Sequence, residues 1–521
     1  MKTLPSQVTA KSERTLCGML AAFVAACLAF SVLPHAWGAD LFWASNATTL
    51  PTAADSGTWV TGLDVGDQWS TATNALATLL WTNGNLAHFA GTAGGTVTLG
   101  TPITAAGITF AAGAGAYTIN TNGNLLTIEG AGIVNNSTNT QTIFNNGIVN
   151  PTGSPAPAGS TEFLNASTAG NATIINDGDS AAVVGLAGGF TEFLNASTAG
   201  TATITNNGSA VTGGTGGFTE FLNTSTAASA KITNNGSAFA GGGSYTEFLD
   251  GASAGAATII NNGGTVAGAG GSTRFTGTAT AGAATITNNG SNVAGAGGFT
   301  EFFNTATAGT STITNNAGPV SGGGSGFTEF FNASTAGAAT IVNNGGTTGG
   351  AGGFTQFFNA STAGTAIITN NGGGAAGSGS GFTQFYNTAT ASGATIINNA
   401  GIATGGASGF TDFVDTSTAG TATITNNGGS VNGAQGGLTE FAGAVEGVGG
   451  PTAGHASITN NGSSAGGAGG GATEFFTVAT AGNAGITNNG SAASGGGGGL
   501  TQFNNASTAG SATIANNGSA A

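Results

Sequence analysis

Residues 190–208 read FTEFLNASTAGTATITNNG, and near-copies of this stretch recur thirteen times between residues 161 and 521. The second Phe of the unit stands at 163, 193, 221, 248, 275, 302, 330, 357, 385, 413, 441, 475 and 503. The Ile stands at 174, 204, 232, 259, 286, 313, 341, 368, 396, 424, 458, 486 and 514, and neither residue is ever substituted. Phe to Ile is 11 residues in twelve units and 17 in the unit that carries Pro451 and His455, whereas Ile to the next Phe varies from 16 to 19. A length that never varies belongs to stacked structure. One that drifts through Gly, Ser and Ala, as at 213–217 or 495–499, belongs to a protruding loop.

The constant half is rich in Thr, Asn and Gly, which are poor in helix interiors, and has no apolar stripe at helical spacing. Strand suits it better. In Ala-Thr-Ile-Thr-Asn the Ile lies between two Thr, one inward side chain flanked by two outward ones, and Asn-Asn-Gly then turns the chain. A unit with one Phe and one Ile closes no core by itself. Stacked on its own copies about 4.8 Å apart, each Phe meets the Phe above and below, and each Ile does likewise. Asn stands two places after every Ile, from Asn176 to Asn516, where stacked amides can hydrogen-bond along the axis. The expected fold is an all-β parallel β-solenoid, a monomeric rod of about thirteen coils spanning roughly 60 Å.

The whole-chain census agrees. Among 521 residues there are 99 Gly and 31 Phe, but only 5% are charged, against about 25% in ordinary globular proteins. With 39% apolar residues the chain also lacks the composition of disorder. Residues 1–38 read as an export leader: Lys2, Lys11 and Arg14 precede an apolar run from Leu16 to Leu33, and Ala36-Trp37-Gly38 offers a cleavage pattern. The competing reading is an uncleaved anchor at the edge of spanning length. Cleavage there removes Cys17 and Cys27 and leaves 19 acids against Lys231 and Arg274. So acidic a chain repels nucleic acid and anionic membranes, and without cysteine it has no disulfide framework, thiol nucleophile or Cys-type zinc site.

Residues 39–150 form a second region and 151–521 the repeat array. All four tryptophans of the first (Trp43, Trp59, Trp69, Trp81) precede short strand-like runs such as Ile108-Thr109-Phe110, Tyr117-Thr118-Ile119 and Leu126-Thr127-Ile128. This is the expected aromatic amino-terminal cap with the first irregular coils. The succession Trp59, Trp69, Trp81, Phe89, Val97, Ile103, Ile108, Phe110, Tyr117, Ile119, Leu126, Ile128, Ile133 resembles the autotransporter-associated β-strand repeat. Units such as Ser197 to Gly208 are similar to passenger repeats of the same type V secreted proteins. The resemblance implies a right-handed parallel β-helix at the cell surface or outside a Gram-negative bacterium. It also implies a carboxy-terminal membrane barrel, whereas this sequence runs to Ala521 in repeat. A fragment, a truncated frame or a partner-dependent passenger is expected.

The residue before each repeat Phe forms a column: Glu162, Glu192, Glu220, Glu247, Arg274, Glu301, Glu329, Gln356, Gln384, Asp412, Glu440, Glu474, Gln502. It is expected as a solvated acidic stripe, with weak divalent-cation binding as the sharper alternative. No rung stands out as catalytic and no cofactor is implied. His88 lies in a strand-like run and reads as structural, and His455, with Glu446 nearby in sequence, marks the only local irregularity. The functional expectation is a non-catalytic structural or adhesive solenoid whose repeated loops contact a host surface, a glycan or other cells. Its competitors are a polysaccharide-cleaving β-helix and an ice-binding solenoid built on Thr203/Thr205, Thr285/Thr287, Thr312/Thr314 and Thr423/Thr425.

Overall fold

The computed structural model describes residues 38–43, 56–61, 69–71, 79–147, 158–180, 188–265, 267–443 and 449–519. The apolar run of the leader and Glu446 lie outside them. Among the described residues every regular element is a β-strand, and none is a helix. Each repeat contributes two. Phe299–Phe302 pairs in parallel with Phe327–Phe330 of the next coil, and Thr312–Asn315 pairs in parallel with Thr340–Asn343. This register runs without a slip from Phe163 to Phe503 in the first sheet. It runs equally unbroken from Ile174 to Ile514 in the second. A third side is only one residue wide, a column of parallel bridges from Thr168↔Thr198 to Thr480↔Thr508. The fold is a parallel β-solenoid, as the spacing of Phe and Ile predicts.

Corners explain the residues between the strands. Leaving the first sheet, the chain turns through a left-handed residue, Asn332 at φ 59°, and after the bridge through a second, Gly337 at φ 61°. Asn and Gly are the side chains that tolerate this region at little cost. In the lengthened unit Thr452 still bridges both Thr418 and Thr480, and Ile458 still pairs with Ile424. The extra residues are therefore absorbed between Phe441 and Thr452, and the stack above is undisturbed.

Inside, the Phe rings stack with centroids 4.7–4.9 Å apart and planes within 5–9° of parallel. From Phe163 to Phe475 these side chains are fully buried. Where the two sheets meet, polar groups line the interior. Asn288 Nδ2 donates to Asn315 Oδ1 (2.8 Å), Phe327 O (2.9 Å) and Thr328 Oγ1 (3.2 Å), while its Oδ1 accepts from Thr300 Oγ1 (2.9 Å). The same bonds recur from Asn145 to Asn488. The asparagine ladder expected from the sequence is present, and it is tied to a buried Thr of the first sheet that sequence reasoning did not single out.

The amino-terminal strands join the same two sheets. Asn85–Phe89, Ile103–Phe110 and Leu125–Asn135 stack in parallel beneath Ser160–Phe163. Gly95–Leu99, Tyr117–Asn120 and Thr142–Asn145 stack beneath Thr173–Asn176. Trp43, Trp59, Trp69 and Trp81 close this end as one cluster with rings 4.7–5.2 Å apart, resting 5.9–6.0 Å from Phe89.

Two substitutions separate the amide network from packing. Asn315→Ala removes the acceptor of the Thr328 hydroxyl and of Asn288 Nδ2 and the donor to Asn343 Oδ1 and Phe354 O, and is expected to cost about 2–4 kcal/mol, as for other buried networks broken on one side. Ser334 Oγ is buried without a hydrogen-bond partner, and Ala306 fills the same place one coil below. Ser334→Ala is expected to leave stability unchanged or raise it by up to about 1 kcal/mol. Urea unfolding midpoints check both; equal losses would mean that the network adds nothing beyond packing.

Candidate functional site

The outer face of the first sheet carries three columns, because alternate residues of Phe-Thr-Glu-Phe-Leu point outward. One is aromatic: Phe190, Phe218 and Tyr245 stack at 4.8–4.9 Å, and Phe299, Phe327, Phe354, Phe382 and Phe410 stack at 4.9–5.0 Å. Another holds Leu164, Leu194, Leu222 and Leu249, then Phe303, Phe331, Phe358 and Tyr386 with rings 4.9–5.0 Å apart. The carboxylate column runs between them. A groove of about 390 Å³ borders the first aromatic column at Phe354, Phe382 and Phe410.

These walls change the expected character of the acids. Instead of a solvated stripe, the carboxyls are half-buried, and their pKa values rise. Burial pushes Glu192 and Glu329 up to about 7, each helped by repulsion from one neighbouring carboxylate, Glu162 and Glu301 respectively. Glu220 goes up to about 8, first by burial and then by Glu192 and Glu247, with the Tyr245 hydroxyl pulling back. Burial likewise lifts Asp412 to about 6, with repulsion from Glu440, and raises Glu162, Glu247 and Glu440. Arg274 interrupts the run, its Nε donating to Glu301 Oε2 at 2.7 Å. Farther along, Gln356 Nε2 donates to Gln384 Oε1 at 2.8 Å, so neutral amides replace the carboxyls there. Among the described residues no cluster of three or more His, Cys, Asp or Glu side chains has the arrangement to hold a metal ion.

The other singled-out residues are dispersed. His88 stacks on Phe42 with centroids 4.8 Å apart, and its Nε2 lies 3.3 Å from Asp40 Oδ1, beside the tryptophan cluster. His455 is exposed in the corner of the lengthened unit, far along the stack from His88. The Thr-x-Thr pairs lie on the outer face of the second sheet, where Thr285 and Thr287 face Thr312 and Thr314. The following coil breaks the pattern with Val342 and the preceding one with Ile260.

A further face was not anticipated. The second Asn of Asn-Asn-Gly builds its own ladder on the outside, with Asn371 Nδ2 donating to Asn344 Oδ1 and Asn399 Nδ2 to Asn371 Oδ1, both at 2.9 Å. Beside it the loops leave a furrow, with one section of about 620 Å³ along Asn344, Asn371, Asn399 and Asn427 and another of about 400 Å³ along Asn262, Asn289 and Asn316. Its signal is the doubled Asn of twelve of the thirteen units; Asp177 takes the second place in the first.

No protein-family model, curated protein or solved structure matches the chain.

The acid column makes stability depend on pH. A carboxyl whose pKa is higher folded than unfolded binds its proton more tightly in the folded state. Its stabilising share is full below the ordinary value of 4.5 and is lost as pH rises through about 7 to 8. Thermal melts are expected to show a higher midpoint at pH 4.5 than at pH 8.5. Glu220→Gln should raise the midpoint at pH 8.5 and leave that at pH 4.5 nearly unchanged; a midpoint that rises with pH would contradict the burial of these groups.

Proposed function

We propose that this chain is an exported, surface-displayed adhesive solenoid of the autotransporter-passenger kind, a stiff spacer whose repeated faces make weak multivalent contacts. The observation that supports it most is the unbroken register from Phe163 to Phe503. Strict register gives each coil the same outward side chains at the same place, so a rod of about thirteen coils carries an array of near-identical sites rather than one pocket. An array binds through avidity: sites too weak to hold alone act together once the first is engaged. The resemblance of residues 59–133 and of the Ser-Thr-Ala-Gly units to passenger repeats supports export to the surface of a Gram-negative cell, as does the leader pattern at 1–38. Catalysis is no part of this reading.

Intact Gram-negative cells expressing the full chain are expected to label with an antibody to the repeat and to be held on host cells or glycan-coated glass under flow better than cells with empty vector. Labelling that requires permeabilised cells would reject surface display. Labelled cells that wash off as readily as the control would reject the adhesive role.

A further inference from the structure

The two amide ladders run through adjacent residues and differ in how much of their bonding capacity remains. An Asn side chain offers two N–H donors and two acceptor lone pairs. In the inner ladder both are used: Asn370 Nδ2 donates to Asn398 Oδ1 (2.8 Å), Phe410 O (3.0 Å) and Thr411 Oγ1 (3.2 Å). Its Oδ1 accepts from Asn343 Nδ2 (2.8 Å) and Thr383 Oγ1 (2.9 Å). In the outer ladder Asn371 donates once, to Asn344, and accepts once, from Asn399. One N–H and one lone pair of each such side chain are left without a protein partner, and this pattern repeats coil by coil from Asn207 to Asn489.

Those half-used amides line the furrow. The amide ladder runs on from one section to the other, since Asn344 Nδ2 donates to Asn316 Oδ1 at 2.9 Å. The opposite wall is made of loops, with Thr347 and Ser430 on the rim and Ile402 at 66% exposure. No ionisable side chain lines either section.

We infer that this furrow binds an uncharged, extended β-linked polysaccharide lying parallel to the stack, one sugar to about each coil. This rests on the adhesive reading above and names its ligand. Three observations select that chemistry. Paired donors and acceptors recurring every coil, about 4.8 Å apart, fall in step with an extended β-linked chain, whose sugar-to-sugar advance is close to one coil and whose rings, turned over alternately, carry hydroxyls on both edges. A β-strand of a protein partner repeats its outward groups about every 6.6–7 Å and falls out of step within two coils. A neutral lining on a chain with 19 acids against two bases after the leader disfavours polyanions. The exposed aliphatic side chain of Ile402 beside the amides suits the apolar faces of sugar rings.

Titration calorimetry of the full chain with cellohexaose, xylohexaose and β-1,4-mannohexaose, with polygalacturonate as the charged control, tests the assignment. At least one neutral hexamer is expected to bind at least tenfold more tightly than its disaccharide, because several coils are engaged at once. Ser430→Trp combined with Thr347→Trp fills the furrow from exposed rim positions and should weaken that binding at least tenfold with an unchanged circular dichroism spectrum. Failure of all three hexamers, preference for polygalacturonate, or affinity untouched by the two tryptophans would overturn the inference. The two readings fail separately. Cells that adhere equally well with the furrow filled would remove the glycan furrow and keep adhesion, whereas a soluble chain that binds hexamers on cells that never adhere would do the reverse.

Discussion

One buried amide per coil sets the terms for the rest of the molecule. Asn315 has no water to bond with, so its copies on either side must lie within about 2.8 Å, and a Thr of the first sheet must reach it at the same height. That demand is met only if every coil brings its Phe and its Asn back to the same register, as even the lengthened unit does at Asn460. A slip of one residue would send the amide to the surface and the outward Thr or Glu into the core, since side chains alternate along a strand. Conserved length between Phe and Ile is therefore a consequence of polar satisfaction as much as of apolar packing. The loops between one Ile and the next Phe meet no such demand, and their length drifts.

Strict register has a cost on the outside. Residues that are alike stack well when they are amides or aromatic rings, because an amide both donates and accepts and parallel rings offset against each other. Carboxylates do not. Glu162, Glu192, Glu220 and Glu247 form the longest unrelieved run, and Arg274 follows it at once. After Glu301 and Glu329 come Gln356 and Gln384, whose side chains hydrogen-bond to each other as the carboxyls cannot when ionised. The exceptions to the repeat are thus placed where repetition is least tolerable. The columns of Phe, Tyr and Leu on either side deepen the conflict, since they withdraw the carboxyls from water and so raise their affinity for protons.

Much of the architecture was legible because it is periodic. Columns of Phe, Ile and the first Asn are visible as unvaried positions at a constant interval, and a column needs only that interval. What lies beside each column was not legible, because spacing along the chain says nothing of which columns meet at a corner. The Thr two places before every Phe is as invariant as the Phe, yet only the fold shows that Thr300 reaches Asn288. The acids form the column that their spacing implies, but they are half-buried rather than solvated, since the shielding comes from residues two places away, Phe299 and Phe303 around Glu301, which alternate outward with it. His455 and Pro451 mark a break in the spacing, but the stack resumes around them.

Adjacency of the two Asn residues has a consequence for length. The inner amides donate toward the carboxy-terminal coil, as Asn370 does to Asn398, while the outer amides donate toward the amino-terminal coil, as Asn399 does to Asn371. Side-chain dipoles in the two ladders therefore oppose each other within every coil, and no field accumulates as coils are added. With contacts confined to nearest neighbours, each added coil meets the same surroundings as the last. Such a stack has no preferred length on energetic grounds, so the number of coils is free to be set by how far the repeated faces must reach. What the coils present sideways repeats with the same indifference to length, and from Asn207 to Asn489 the outer amides keep a bond to offer at each step.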